Sequence, residues 1–239
     1  MTGTDFDRHA GDYRHEVNES LSGFGTDIDR LADSKAALIG EVLGGDRLAR
    51  ARVLDVGCGI GLICRRLIDR VAQMHGTDIS AASLEQAAKA CPRGHFQAYD
   101  GVTFPYPDAT FDLVFAVNVF HHIPVAARPA MAAEMARVAA VDGFVLIVEH
   151  NPANPVTRHI VVSCPLDDGA ILLKAAESRA LLSGAGLAGV STRYFGFVPW
   201  RGPMVDRWEG LLARLPLGAQ YLCRAAKPQC WRSPANGLS

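Results

Sequence analysis

The stretch VLDVGCGIG, residues Val53 to Gly61, joins an apolar run to a glycine-rich turn. The apolar run predicts a strand, and the residues after the turn predict a helix from Leu62 to about Arg70. The glycines let the backbone turn tightly and approach a ligand where a Cβ would clash. Because such a turn also serves simple tight packing, its meaning depends on the residues around it.

Two features of this loop favour S-adenosylmethionine over a dinucleotide as the ligand. A dinucleotide fingerprint has glycine at its sixth position, where this chain has Leu62. Asp55 lies just before the glycines and would repel a pyrophosphate. S-adenosylmethionine carries no phosphate, and its ammonium group can pair with this carboxylate.

The composition indicates an ordinary α/β protein that acts on small molecules. The chain has 239 residues, 49% of them hydrophobic, and a formal net charge of -1 without a basic run, which argues against nucleic-acid binding. Its six cysteines show no CxxC spacing, so we expect reduced thiols and no zinc site. The N-terminus is polar and no apolar stretch is long enough for a bilayer, so we expect a cytoplasmic protein without a membrane segment, a monomer or homodimer.

Short β-branched runs alternate with alanine-rich helical runs, which predicts a mostly parallel sheet covered on both faces. We expect one domain over residues 1–239, with a helical cover (1–45), a cofactor-binding core (50–150), an insertion or lid (151–175) and C-terminal elements (176–230). The predicted strands are Arg52–Val56, Val71–Asp78, His95–Tyr99, Phe111–Asn118, Phe144–Glu149, Val190–Val198 and Ala219–Ala226. Further helices are predicted at Ala81–Ala90, Ala126–Ala139, Glu177–Gly184 and around Val205–Leu215.

Ligands of open α/β sheets bind beyond the carboxyl ends of the strands, so polar residues there are candidates for the site. Asp78 ends the second strand and can accept hydrogen bonds from ribose hydroxyls. The alternative for Asp78 is a helix cap, although Ser80 is available for that. Asp100 and Gly101 end the third strand, where they can reach an adenine amine or form a plain turn.

Histidines follow the fourth and fifth predicted strands. Asn118, His121 and His122 end the fourth, and His150 and Asn151 follow the fifth. Because histidine is the usual proton acceptor near neutral pH, we expect His122 and His150 to face the acceptor and to be candidate catalytic residues. Neutral histidines in a core or at a cap are the alternative.

Two other groups are ambiguous. Asp167 and Asp168 suggest a metal pair, but capping of the run GAILLKAAE is the simpler interpretation, so we predict no metal. Aromatic residues in the C-terminal part would line a pocket or, more simply, belong to the core. They are Phe195, Phe197, Trp200 and Trp208.

The ordered set VLDVGCGIG, GTDIS, YDG and FPYPDATFDLVFAVNVFHHI resembles the class I S-adenosylmethionine-dependent methyltransferases, in particular the small-molecule branch of ubiquinone and menaquinone biosynthesis. The motifs cover roughly residues 50 to 150. The resemblance implies a Rossmann-like α/β fold with a seven-stranded, mostly parallel sheet and an antiparallel last strand. Where the family usually has Pro-Gly-Gly before the fifth strand, this chain has Val141, Asp142 and Gly143.

The resemblance also implies roles for individual residues. The methionine part of S-adenosylmethionine would lie at Asp55, Gly57 and Gly59. The GTDIS motif, with Asp78 and Ile79, would bind the ribose. The remaining implied cofactor contacts are Asp100 and Gly101 at the adenine, Asn118 near the sulfonium and Tyr13 in a segment that folds over the cofactor.

The sequence therefore predicts methyl transfer from S-adenosylmethionine to a small molecule, with oxygen as the favoured acceptor atom. Carbon or nitrogen acceptors, and a non-catalytic S-adenosylmethionine-binding partner subunit, remain open. A nicotinamide-dependent oxidoreductase is a further alternative, against which Leu62 and Asp55 argue.

Overall fold

The structure, a computed structural model, describes residues 3–198 and 210–233. Its strands are β1 (Arg52–Val56), β2 (Gln73–Asp78), β3 (His95–Ala98), β4 (Phe111–Val117), β5 (Ala139–His150), β6 (Ala188–Phe195) and β7 (Gln220–Ala226). Over these described ranges they form a seven-stranded sheet in the order β3-β2-β1-β4-β5-β7-β6. Strands β1 to β5 pair in parallel, whereas β7 is antiparallel to both β5 and β6. The predicted fold class and antiparallel last strand are confirmed.

Helices cover the sheet and extend beyond its carboxyl edge. They are α1 (Gly3–His9), α2 (Tyr13–Ser20), α3 (Ile28–Glu41), α4 (Gly45–Ala49), α5 (Cys64–Leu67), α6 (Ala81–Ala90), α7 (Arg128–Val138), α8 (Pro155–Ser163) and α9 (Ala175–Gly184). The predicted helix after the glycine loop is shorter, because α5 passes into a 3₁₀ turn at Ile68–Arg70. The helix predicted around Val205–Leu215, like Trp200 and Trp208, falls largely or wholly outside the described residues.

The inner strands of the sheet are buried on both faces, whereas the edge strands β3 and β6 are largely exposed or half-buried. Along β1, Leu54 and Val56 belong to one hydrophobic cluster and Val53 to the other, as the twofold alternation of a strand requires. Asp55 shares the face of Val53, which packs against α3 and α5. Phe195 is 5% exposed within this second cluster, so the core interpretation holds for it.

An irregularity precedes the buried part of β5, where the chain departs from the family's Pro-Gly-Gly. The register with β4 shifts between Phe111 and Leu113, and Asp142 has a φ of 59°. The Asp142 backbone N–H donates to the Lys227 carbonyl at 2.9 Å, and the Lys227 N–H donates to the Gly143 carbonyl at 2.9 Å. The strand thus begins at Ala139 rather than at Phe144.

The N-terminal helices lie over the carboxyl edge of the sheet and are anchored to it. The Asp7 carboxylate accepts hydrogen bonds from the Ser80 hydroxyl at 2.6 Å and from the Ala82 N–H at 3.2 Å. Asp29 on α3 pairs with Arg14 on α2 and with Arg65 and Arg66 on α5. These contacts join the cover to the glycine-loop region.

The segment between β5 and α9 is anchored through polar side chains. The Asn151 amide donates to the Gly218 carbonyl at 2.8 Å, and the Thr157 hydroxyl donates to the Ala219 carbonyl at 2.8 Å. The Asn154 side chain caps α8 by accepting from the Thr157 N–H at 3.0 Å. In the part of the chain that the structure describes, we find no helix with the length and hydropathy of a membrane span.

Gly61 tests the packing role of the loop. It has a φ of 76°, and a Cβ there would lie 3.1 Å from Ala87 Cα on α6. We expect Gly61→Ala to lower the free energy of unfolding by about 1 to 3 kcal/mol, measured by urea denaturation. The control is Gly45→Ala in α4, where a Cβ meets nothing within 4 Å and φ is not positive. Equal stabilities of the two variants would contradict the packing argument.

Candidate active site

One cavity of about 340 Å³ lies at the carboxyl edge of the sheet, beneath the N-terminal helices. We call the part near Asp55, Gly59 and Asp78 the glycine-loop end, and the part near His122 and His150 the histidine end. The sequence-predicted residues on its wall are Tyr13, Asp55, Gly57, Gly59, Asp78, Ile79, Gly101, Asn118, His122 and His150. The fold thus brings all but one of the predicted site residues to one cavity.

Gly57 and Gly59 require glycine for different structural reasons. Gly57 has a φ of 67°, and a Cβ there would lie 2.5 Å from Val119 Cγ2. Gly59 has a φ of 52°, but a Cβ there would meet nothing within 4 Å. Gly57 is therefore required by packing, whereas Gly59 presents bare backbone to open space in the cavity.

Asp55 is a buried carboxylate on the cavity wall. It is 2% exposed, and its contact is the Cys64 thiol, whose Sγ lies 3.4 Å from Asp55 Oδ2. Burial raises the pKa of Asp55 well above its usual range. Among residues 3–198 and 210–233 no basic side chain forms an ion pair with it. An ammonium group of a ligand in the cavity would supply the missing charge.

Asp78 ties the end of β2 to the glycine loop. Its Oδ2 accepts from the Gly59 N–H at 2.8 Å, and its Oδ1 accepts from the Ser80 N–H at 2.9 Å. Because each carboxylate oxygen can accept a second hydrogen bond, both retain capacity for hydroxyls of a ligand. The cap of α6 is Ser80, which accepts from the Ser83 N–H at 3.1 Å, so Asp78 is not needed there.

Gly101 and Asp100, the two residues expected at the adenine, lie in different places relative to the cavity. Gly101 has a φ of 84° and lies beside Ile79 on the cavity wall. Asp100 is exposed and lies off the wall, and its Oδ1 accepts from the N–H groups of Val102 and Thr103, both at 2.8 Å. The side chain thus forms the plain turn that was its alternative. Contact of Asp100 with adenine stays a prediction.

At the histidine end, His121 lies between two carboxylates. Its Nδ1 is 2.6 Å from Glu149 Oε2, and its Nε2 is 3.2 Å from Asp167 Oδ1. Burial alone would lower the pKa of His121, but Glu149 and Asp167 raise it to about 9. The charge of His121 in turn holds the pKa of both carboxyl groups below the usual range, against the effect of their burial. At neutral pH His121 is therefore an imidazolium that is hydrogen-bonded to two carboxylates.

His122 and His150 are neutral by contrast. Burial, followed by the charge of His121, lowers the pKa of His122 to about 4 and that of His150 to about 3. The His122 ring makes an edge contact with Phe6 of α1, with centroids 5.2 Å apart. Both imidazoles are therefore available to accept a proton at neutral pH, although their low pKa values make them weak bases.

The capping interpretation of Asp167 and Asp168 is wrong. Residues 168–174 are not helical, α9 begins at Ala175, and the Asp167 carboxylate turns toward His121 instead. Ligand atoms of His121, His150 and Asp167 lie within 4.8 Å of one another, a grouping that suits a metal. However, both ring nitrogens of His121 already contact carboxylates, and its charge compensates them. That no metal is required stays a prediction.

Lys35 and Gln220 are among the polar wall residues that the sequence did not indicate as part of the site. Lys35 lies on α3 among the buried positions Ile28, Ala32, Ala36 and Ile39. A lysine on the apolar stripe of an amphipathic helix was the available signal. Gln220 begins β7 and carries no comparable pattern.

The fold and the cavity together define a class of protein. A methyltransferase-domain family model matches residues 53–143. A methyltransferase named GfsG from Streptomyces halstedii is 31% identical over 185 residues, which are 68% of this chain and 62% of the relative. Ajmaline N-methyltransferase from Rauvolfia serpentina is 30% identical over 149 residues, 59% of this chain and 50% of the relative. The chain thus spans less than two thirds of either relative.

Solved structures agree on the fold. A methyltransferase from Thermotoga maritima, described as dependent on S-adenosylmethionine, superposes with a TM-score of 0.66 at 16% identity, covering 93% of this chain and 97% of its own. Phosphoethanolamine N-methyltransferase 2 from Haemonchus contortus, solved with S-adenosylmethionine, gives 0.59 at 18% identity, covering 82% of this chain and 53% of its own. Residues 53–143 thus match a methyltransferase domain, and the described chain has the fold found in S-adenosylmethionine-dependent methyltransferases.

The clamped His121 predicts a dependence of stability on pH. Because its pKa is raised from 6.5 to about 9 in the folded state, its contribution is complete below 6.5 and lost as pH rises through about 9. We expect the wild type to lose roughly 2 to 3 kcal/mol of unfolding free energy over this range relative to His121→Gln. Urea denaturation at a series of pH values measures this. Parallel pH profiles of the two proteins would contradict the clamp.

Proposed function

We propose that this chain transfers the methyl group of S-adenosylmethionine to a small-molecule acceptor that binds at the histidine end. The observation that carries the proposal is the glycine-loop end: Asp55 is buried without a cationic partner, Gly59 is open to the cavity, and Asp78 retains hydrogen-bonding capacity. These features match the ammonium, the close approach and the ribose of this cofactor.

The chain's own residues would position the two reactants. Asp55 would hold the ammonium group, Asp78 the ribose hydroxyls, and Ile79 with Gly101 the adenine. Bound there, S-adenosylmethionine would supply an activated methyl group on its sulfonium. Tyr13 and Phe6 lie on the wall that the N-terminal helices provide, where they would exclude water.

The relatives do not agree on the atom that accepts the methyl group. Relatives are named both for N-methylation, as in ajmaline N-methyltransferase, and for O-methylation, as in a rice protein described as a tocopherol O-methyltransferase. We favour oxygen, with nitrogen or carbon as alternatives. Neutral His122 and His150 beside the cavity support an active enzyme over a non-catalytic partner subunit. We further propose that the protein is cytoplasmic, where free cysteines are usual, and that it is a monomer or homodimer.

Methyl transfer in a metabolite extract tests the function. The protein is incubated with methyl-labelled S-adenosylmethionine and a small-molecule extract, and labelled products are separated by chromatography. We expect a labelled small molecule with the wild type and clearly less of it with Asp78→Ala at a cofactor concentration near the dissociation constant of the wild type. Cofactor binding without any labelled product from extracts of the native host would instead support the partner-subunit alternative.

Asp78 gives a quantitative prediction for the cofactor. Asp78→Ala removes up to two charge-assisted hydrogen bonds to the ribose, each contributing about 1.5 to 3 kcal/mol. We expect the dissociation constant of S-adenosylhomocysteine, measured by calorimetry, to rise at least tenfold, which is about 1.4 kcal/mol. Asp69→Ala is the control, because Asp69 is exposed, pairs with Arg93 and lies off the cavity wall. An unchanged affinity in a folded Asp78→Ala protein would remove the ribose assignment.

His122 and His150 give a prediction for the chemistry. We expect His122→Ala and His150→Ala to keep the affinity for S-adenosylhomocysteine while slowing methyl transfer by about tenfold or more. If the residue acts as a base, the loss shrinks as pH rises toward the acceptor's own pKa, whereas a positioning role gives a loss independent of pH. Full transfer rates in both variants would exclude these histidines from the reaction.

A further inference from the structure

Lys35 is a buried cation on the cavity wall without a direct partner. The residue is 8% exposed and lines the cavity from α3. Within the described ranges it makes no hydrogen bond and no ion pair, and the charges that act on it are those of Glu149 and Asp167. Burial lowers the pKa of Lys35 to about 8, so the ammonium form predominates at neutral pH. A buried ammonium without a partner is costly unless a ligand supplies one.

Gln220 provides an independent second observation on the same wall. It is 5% exposed, and its Oε1 is a buried side-chain atom without a hydrogen-bond partner among residues 3–198 and 210–233. Its Nε2 makes only long contacts of 3.4 Å, to Asn118 Oδ1 and His150 Nδ1. Because rotation of the amide by half a turn exchanges its oxygen and nitrogen, Gln220 can present its N–H groups to a ligand.

The charges around Lys35 favour an anion as that ligand. The charges of Glu149 and Asp167 raise the pKa of Lys35 against the effect of burial. Both carboxylates are already hydrogen-bonded to the His121 imidazolium. His150 is neutral, and the charge of Lys35 contributes to its lowered pKa. An anionic oxygen beside Lys35 would therefore gain a direct ion pair with its ammonium group, whereas a cationic group would be repelled by it.

We propose that the acceptor binds through an anionic oxygen, a carboxylate or an ionised acidic hydroxyl, which Lys35 and the Gln220 amide hold at the histidine end. The rest of the acceptor is apolar, because Leu31, Ile160 and Leu166 line this cavity. This inference rests on the proposed function, since it names the acceptor class of the same site. It assigns Lys35 as a binding residue for the acceptor.

Matched probes test the charge preference. Octanoate, 1-octanol and octylamine share a chain and differ in charge, and each is titrated by calorimetry into the protein saturated with S-adenosylhomocysteine. We expect octanoate to bind about tenfold more tightly than the other two. The preference should disappear in Lys35→Met and persist in Lys35→Arg. Lys89→Met is the control, since Lys89 is an exposed lysine paired with Glu85.

An optical probe tests the ionised hydroxyl and distinguishes it from a carboxylate. Absorbance reports the ionisation of 4-nitrophenol directly, and 4-nitroanisole is its neutral analogue. We expect bound 4-nitrophenol to ionise at lower pH in the wild type than in Lys35→Met, a shift that a purely structural lysine would not produce. If octanoate shows the preference and 4-nitrophenol shows no such shift, the anionic group is a carboxylate.

Each outcome has a defined meaning. Failure of the wild type to bind S-adenosylhomocysteine contradicts the proposed function, whereas normal cofactor binding without a preference for either anion overturns only the inference. Preferential binding of octylamine that is lost in Asp167→Asn would replace it with an amine acceptor. If Lys35→Met does not fold, Gln220→Glu decides instead: it should weaken octanoate binding, and unchanged octanoate binding would overturn the proposal.

Discussion

The hydrogen bond from the Gly59 N–H to Asp78, 2.8 Å long, joins the ends of two neighbouring strands at the place where a cofactor must bind. Beside it, the N–H groups of Gly57 and Cys58 donate to the Thr77 carbonyl at 2.7 and 3.1 Å. These contacts fix the glycine loop against β2 without using a side chain of the loop. The bare backbone of Gly59 therefore stays open to the cavity while the carboxylate that holds it also faces a ligand.

The histidine end depends on a different constraint, the low polarity of a sheet edge covered by helices. Four charged groups lie there: Glu149 and Asp167 are hydrogen-bonded to the two ring nitrogens of the His121 imidazolium, and both carboxylates act on the charge of Lys35 only through space. This arrangement leaves His122 and His150 neutral. A polar but balanced wall of this kind can orient an acceptor without itself carrying strong base chemistry.

The sequence predicted the parts of this structure that depend on local pattern. The strand Arg52–Val56 and the helix Ala81–Ala90, capped by Ser80, agree with prediction because apolar periodicity and capping are encoded within a few residues. The gathering of Asp55, Asp78 and the histidines at one cavity followed from a general property of parallel sheets. Asp100 does not lie on the cavity wall, because its carboxylate accepts hydrogen bonds from the turn that follows it.

The missed features arise from contacts between distant parts of the chain. Asp167 looked like a helix cap because its neighbours have helical composition, yet His121, far away in sequence, provides a stronger hydrogen-bond partner. The apolar stripe of α3 indicates that Lys35 is buried, but its place on the cavity wall depends on how α3 packs over the sheet. Side-chain pairings of this kind require the assembled fold.

The central claim is that the glycine-loop end binds S-adenosylmethionine and directs its sulfonium toward the histidine end. A crystal structure of the protein with S-adenosylhomocysteine tests it most directly. The account predicts the ribose hydroxyls at Asp78, the ammonium group at Asp55 and the sulfur on the side of Asn118 and His122. Binding of the ligand in another place, or with its sulfur turned away from the histidines, would contradict the account.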